Sequence, residues 1–344
     1  MSVFMKLRRN ESRGHSNRGA EGVGDSRIRR IFPVDLTHGP QSCGPQWHWL
    51  QWICLCPVRS LVVRLLGMFL VVGTVGMAHA CPAFFLRVPQ VSRALCQQAA
   101  LVPSGATSVL GQPLLVRDVA ASPAQWRVLV LGGIHGDEFS SASLVFHWIG
   151  MALRDPLDTH WRFLPVLNPD GMLRRPATRV NAHGVDLNRN FATPDWVREA
   201  PLYWERRTRK DPRRWPGSAP LSEPESRYLA EQIRTFAPDL VVSVHAPYGV
   251  LDFDGPLRPP TRLGRLYLDR VGVFPGSLGH YCGLQQGIPV VTVELPNALR
   301  APPPAEMRRM WGDLQRWMQN TLPRPASKTT GASAPQSAPV SGLH

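Results

Sequence analysis

The chain has 344 residues, 43% of them hydrophobic, with 39 Lys/Arg against 25 Asp/Glu and a formal net charge of +14. That length suits one large domain or two small ones, and the apolar fraction is ample for a core. The positive charge would suit an anionic polymer, but the chain holds no groove-reading motif and no basic helix with regular aromatic interleaving, which argues against nucleic acid.

The charge is unevenly spread: residues 1–66 carry ten Lys/Arg against four Asp/Glu. Residues 1–60 show no period from which a fold can be assigned. They read as a basic extension, or as a start set too far upstream, in which case the protein stays in the cytoplasm. Leu61–Met77 is the membrane-directed stretch. Arg59 and Arg64 flank it, its apolar run is short for a full span, and Ala78-His79-Ala80 follows as an A-x-A pattern. Together these predict a signal peptide over 61–80 and a periplasmic protein, with the membrane involved only through export. His79 fits a lipidation site poorly. Cleavage would leave Cys81, Cys96 and Cys282, among which sequence does not assign a pairing.

Residues 81–100 read as a linker, and a globular pattern fills 101–322. Val109–Val116 suggests two short strands about a turn. Val128–Leu131 is a continuous apolar run closed by Gly132-Gly133, as expected of a strand buried on both faces inside an α/β domain. Phe139–Leu153 has helical periodicity. Phe163–Leu167 reads as a strand that ends in the turn Asn168-Pro169-Asp170-Gly171. Pro201–Pro220 reads as a basic, tryptophan-containing loop, a solvated surface loop by first reading and the wall of a pocket for an acidic substrate by the second. Ser222-x-x-Glu225 with Pro224 reads as a capping box opening a helix striped by Leu229, Ile233 and Phe236. Asp239–Val244 and Pro289–Val293 are two more buried strands. Pro302–Asn320 is a closing helix whose Met307, Met310, Trp311 and Leu314 face the core. Residues 323–344 form a Pro/Ser/Ala-rich tail expected to be disordered.

Three of these strands run into residues of metal or acid/base type: His135 with Glu138, His245, and Glu294. Strand ends at one edge of a sheet converge in space, and open α/β sheets bind their ligands there. Two histidines and a glutamate would hold one zinc ion with its fourth position open, as catalytic zinc sites do. Glu294 would then serve as the proton carrier. Arg179–Phe191 is dense in fixed donors, and a guanidinium fork suits a carboxylate, so Arg179 and Arg189 are candidate anion ligands.

These segments, His135-x-x-Glu138, Asn168–Gly171, Gly184–Phe191, Ser243–His245 and Thr292–Glu294, resemble the zinc metallocarboxypeptidase family in order and placement over roughly residues 101–322. The resemblance implies a three-layer α/β/α sandwich around a twisted mixed sheet. It implies zinc ligation by His135, Glu138 and His245, and catalysis by Glu294 with Arg179 at the oxyanion. It also implies that Asn188 and Arg189 clamp a free carboxylate and that Asp186 orients the first zinc histidine. Within the family the likeness is to the murein peptide amidases, from Gly217-Ser218, Ser222–Glu225 and Pro275–Gly279. That implies a small murein peptide substrate cut at the γ-D-glutamyl–diaminopimelate bond. Digestive members carry a mobile tyrosine before the Gly-Ser loop. Here Arg270–Phe274 holds none, so no residue takes that role. The alternatives are an N-acyl amino acid deacylase of the succinylglutamate desuccinylase and aspartoacylase type and a non-catalytic wall-peptide binding module. The Asn-Pro-Asp-Gly turn weighs against the first, and Glu294 weighs against the second.

Overall fold

The computed structural model describes residues 81–324. The basic extension, the export segment and the tail from residue 325 lie outside the described residues. In chain order the elements are α1 (Arg93–Ala99), β1 (Val102–Thr107), β2 (Pro113–Ala120), β3 (Trp126–Leu131), α2 (Phe139–Arg154), β4 (Thr159–Leu164) and α3 (Pro169–Leu173). There follow α4 (Trp196–Arg206), α5 (Pro224–Phe236), β5 (Leu240–His245), β6 (Val250–Asp254), β7 (Arg262–Leu263), β8 (Leu266–Tyr267), β9 (Val290–Glu294) and α6 (Pro304–Thr321).

Seven strands form one mixed sheet in the order β1-β2-β4-β3-β5-β9-β6, with β7 and β8 as a separate hairpin. The four central strands, β4, β3, β5 and β9, run parallel, and antiparallel strands close both edges. Strand alternation sorts the apolar run of β3 between two cores. Val128 and Val130 join Val242, Val244, Val291 and Val293 against α2 and α6. Leu129 and Leu131 join Val241 and Val290 against α5. This is the expected three-layer α/β/α sandwich. The tryptophans and methionines of α6 are core, as their spacing predicts: the Trp311 ring lies 4.5 Å from Trp161 and 5.4 Å from Trp148. Such a cluster forms where α2, α6 and β4 meet and fixes the spacing of helix and sheet.

The parallel topology also decides where ligands go. From β3 the chain crosses through α2 to β4 on one side, while β5 pairs on the other side of β3. Strand order therefore reverses between β3 and β5, and the crevice beyond their carboxyl ends is left open.

Four sequence expectations are corrected here. Residues 81–100 are no linker: Ala83–Arg87 forms a 3-10 helix, α1 follows, and a Cys81–Cys96 disulfide ties them. Phe84, Phe85, Val88, Cys96 and Ala99 are buried in the core beside α2. Their short apolar spacing lacks the length of a readable period. Val109 and Leu110 lie in the turn between β1 and β2 rather than in a strand. Much of the basic 201–220 loop is helical. α4 runs through Pro201, which forfeits one backbone bond and so argues against a helix when read alone. The capping box is absent: Glu223 is the N-cap residue of α5 and makes no capping bond. Glu225 instead accepts from Val109 N at 3.2 Å and from Asn181 Nδ2 at 3.1 Å. It ties the β1–β2 turn to the central domain.

Candidate active site

His135 and Glu138 are delivered by a loop that only glycines allow. Gly133 has φ +55°, a conformation strained for other residues. A Cβ on Gly136 would collide with the Gly171 carbonyl carbon. The Asn168–Gly171 turn is thus the floor on which this loop rests, and Asn168 N donates to Gly133 O at 2.8 Å. Glu138 is then the N-cap residue of α2. His245 and Glu294 are the last residues of neighbouring strands β5 and β9, paired directly across the ladder.

The three expected ligands come together. One donor atom from each of His135, Glu138 and His245 lies within 4.8 Å of the other two, and all three residues are buried. His135 Nδ1 stands 2.8 Å from Glu138 Oε1 and 3.3 Å from His245 Nδ1, and His245 Nδ1 stands 3.3 Å from Glu138 Oε2. The opposite ring nitrogens are already engaged: His135 Nε2 lies 3.2 Å from Asp186 Oδ1 and His245 Nε2 lies 2.9 Å from Ser243 Oγ. Each imidazole therefore turns its other nitrogen inward, as metal-bound histidines do. Two imidazoles and one carboxylate are a donor set that zinc accepts. The residues fit the ion that the family implies.

Asp186 joins this centre to Arg179, which donates to it from Nε and lies 3.0 Å away through Nη2. Burial alone would raise the Asp186 carboxyl, but the Arg179 charge and the His135 bond hold it well below the usual carboxylate range. Glu138 is likewise held low: His135 and His245 outweigh its desolvation. Arg179 Nη1 also reaches to 3.1 Å from His135 Nδ1, so its guanidinium leans directly over the donors.

Glu294 differs from these. It is 6% exposed, and its Oε2 has no hydrogen-bond partner. Burial pushes its pKa up, against the pull of His245. Arg189 is 4% exposed, and its Nε is equally unpartnered. Its guanidinium lies 4.3 Å over the Phe274 ring, and burial pushes its pKa down to about 10. Asn188 beside it is held by Leu278 N, which donates to its Oδ1 at 2.8 Å. His135, Glu138, His245, Arg179, Asn188, Arg189, Phe274 and Glu294 all line one cavity of about 280 Å³.

The sequence reading missed several walls of that cavity. Tyr248, Asp252, Asp254 and Thr292 line it; Arg213 and Arg214 line it as well, in keeping with the second, pocket-wall reading of the basic loop. Arg213 Nη2 donates to Asp137 Oδ2 at 2.8 Å, inside the His135–Glu138 motif. Asp252 and Asp254 alternate with Leu251 and Phe253, which is a period-2 signal for β6 that was available but unread. Phe274 stands where the digestive members' tyrosine was sought, and it carries Arg189.

A zinc carboxypeptidase family model matches residues 92–251. Murein peptide amidase A of Vibrio campbellii is 36% identical over 199 residues, covering 55% of this chain and 77% of the relative. Murein peptide amidase A of Escherichia coli K12 is 31% identical over 228 residues, covering 64% and 91%. Among solved structures, thrombin activatable fibrinolysis inhibitor superposes with a TM-score of 0.50 at 19% identity over 64% of this chain and 68% of its own, a likeness of fold. Murein-tripeptide amidase MpaA from E. coli O157 aligns at 29% identity with a TM-score of 0.47, over 66% and 96%. The chain belongs to the zinc carboxypeptidase family and is an enzyme of the zinc metallocarboxypeptidase and amidase class. The curated relatives it matches at 31–36% identity are murein peptide amidases.

Proposed function

We propose that the enzyme hydrolyses the amide between the γ-carboxyl of D-glutamate and diaminopimelate in small murein peptides. The observation that carries this reading is one cavity in which a metal-type triad, a buried carboxylate with its Oε2 unpartnered and a buried guanidinium with its Nε unpartnered face the same space. An arginine left buried without an acidic partner is costly unless an anion completes it. A free carboxylate on the leaving amino acid is such an anion, and the relatives' names supply the substrate class.

Each residue then has a role. His135, Glu138 and His245 hold a single zinc ion, which when bound supplies Lewis acidity at the scissile carbonyl and acidifies water near neutral pH. Asp186 keeps His135 in the tautomer that points its free nitrogen inward. Glu294 Oε2 accepts a proton from the attacking water and delivers it to the leaving nitrogen. Its raised pKa suits a group that must both take and give a proton. Arg179 stabilises the charge that develops on the carbonyl oxygen. Arg189 with Asn188 fixes the leaving residue by its carboxylate, which sets the position of the bond.

We propose also that residues 61–80 direct export and that the enzyme works on wall peptides in the periplasm. The basic flank, apolar core and Ala78-His79-Ala80 support this, as does the Cys81–Cys96 disulfide, which an oxidising compartment favours. The decisive assay offers the zinc-loaded protein L-Ala-γ-D-Glu-diaminopimelate and, separately, succinylglutamate, each with and without chelator. Chelator-sensitive release of diaminopimelate is expected. Hydrolysis of succinylglutamate alone would replace this reading with the deacylase one.

A further inference from the structure

Two duties compete for the Glu138 carboxylate. Glu138 is the N-cap residue of α2, and at that position a side-chain oxygen ordinarily accepts from the amides of the first turn. Here it makes no capping bond. Its Oε1 stands 2.8 Å from His135 Nδ1 and its Oε2 stands 3.3 Å from His245 Nδ1. The start of α2 is therefore fixed by other contacts. Ser141 Oγ donates to Glu138 O at 2.6 Å, and Ser140 N donates to Ala298 O at 2.9 Å.

Further contacts come from the segment that precedes the sheet. Residues 87–98 run along one face of α2. Arg87 lies over the Phe139 ring, with its Cζ 5.3 Å from the centroid. Pro89 O accepts from Ser143 Oγ at 2.7 Å, and Gln90 O lies 3.0 Å from His147 Nε2. Leu95 of α1 then packs on Gly150, where a Cβ would meet its Cδ1 at 3.3 Å. Positions 139, 143, 147 and 150 follow one another along a single helix face. The Cys81–Cys96 disulfide closes the segment into a loop.

Arg87 reaches past Phe139 as well. Its Nη1 donates to Leu173 O at 3.3 Å and to Arg174 O at 3.2 Å. These are the last residue and the C-cap of α3, and the last carbonyls of a helix have no partner within it. α3 grows out of the Asn168–Gly171 turn, the floor under the His135 loop. Asn168 Nδ2 in turn donates to Arg179 O at 3.1 Å. A cation over an aromatic ring that also serves two carbonyls is held at three points. One guanidinium thus grips the residue that follows Glu138 and the helix that continues the turn beneath His135.

We propose that Arg87 is a positioning residue for the metal site, kept in place by the disulfide-closed segment, and that it raises zinc affinity by fixing Glu138 and the floor of the His135 loop. This rests on the ligand assignment and not on the identity of the substrate.

The test measures zinc dissociation constants of the full-length protein by chelator competition, well below the melting temperature. Arg87→Met keeps the aliphatic stem and removes the charge and the donors. It should weaken zinc binding roughly 10-fold, the lower end of what the outer partners of metal ligands contribute. Arg87→Lys keeps a cation over the ring and should recover part of the loss. The double variant Cys81→Ser, Cys96→Ser should weaken zinc binding by a smaller factor than Arg87→Met. Ser143→Ala removes a bond to the same segment one turn farther from Glu138. It should lower Tm and leave zinc affinity unchanged. Hydrogen exchange of the Gly133–Phe139 amides in zinc-free protein needs no metal. It should quicken in Arg87→Met and not in Ser143→Ala. Equal zinc affinity in wild type and Arg87→Met, or an equal loss in Ser143→Ala, would overturn the inference and leave the segment a stabiliser only. Wild type that binds no zinc would remove the ligand assignment instead, and exchange unchanged by Arg87→Met would then overturn the inference too. If Arg87→Met fails to fold, Arg87→Lys and the double serine variant carry the same comparison.

Discussion

The two walls of the cavity are built on opposite plans. On the metal side, His135, Glu138, His245, Asp186 and Arg179 bond to one another in a closed set within a buried space. On the recognition side, Arg189, Asp252 and Asp254 lack the opposite charges they would need, and Glu294 stands between the two groups with one oxygen unpaired. A closed set holds its geometry before anything binds, which suits groups that must be placed for chemistry. An open set carries a desolvation cost that only a ligand relieves, which suits groups that select. Substitutions should therefore fall into two kinds of kinetic defect, according to the wall they touch.

The largest effect is expected where the closed set is broken. His245→Ala removes one of three donors and should abolish stoichiometric zinc and activity together. Metal analysis by atomic absorption checks this, and full zinc content in the variant would refute the ligand assignment. Next comes Glu294→Gln. The side chain keeps its shape but cannot take the proton, so turnover should fall by ~10²–10⁴-fold with zinc content and KM nearly unchanged. A matching loss of zinc would mean that Glu294 acts as a ligand and not as the proton carrier.

Arg189 sharpens the comparison from the open side. Arg189→Ala should raise KM, because the contact it removes exists before the reaction starts. Amidating the substrate's terminal carboxylate should reproduce that loss in wild type and cost little more in the variant, since both changes delete one contact. Measuring kcat/KM for both enzymes on both substrates decides the matter. If the two losses simply multiply, Arg189 does not bind that carboxylate.

The two walls were also unequally legible in the sequence. The metal side is written in short motifs at strand ends. Val128–Leu131, Leu240–Val244 and Val290–Val293 are apolar enough to read as parallel strands, and each delivers its polar residue within a few positions. The recognition side is assembled from pieces far apart in the chain: β6, the Phe274–Gly279 loop and the Arg213–Arg214 turn. Their local signals, such as the period-2 alternation of β6, do not show which wall they share. Asp252 and Asp254 look like solvated acids until β6 is paired with β9 and their face of the sheet is known. Pro201 hid α4, and Glu225 suggested a cap where tertiary contacts with Asn181 and the β1–β2 turn had claimed its carboxylate. Local patterns were reliable where the backbone alone decides the outcome, and failed where a distant partner does.

The smallest effect expected is on stability. Burial and the Asp252 charge push the Asp254 carboxyl up to about 6 in the folded protein, against an ordinary value of 3.8. Its protonated form is therefore the one that folding favours. The resulting stabilisation is fully present below about pH 4 and is lost as pH rises through about 6, so above that the charged group is a net cost. A two-unit shift would correspond to just under 3 kcal/mol at ~1.4 kcal/mol per unit, but the group is partly open to solvent, and screening reduces this to about 1 kcal/mol. Asp254→Asn, which cannot ionise, should then raise Tm by about 2–4 °C at pH 7.5 and leave it unchanged near pH 3.5. Thermal melts of the two proteins at both pH values measure the difference directly. A lowered Tm at pH 7.5 would mean that Asp254 already has a stabilising partner within the folded chain, and that this wall of the cavity is not open.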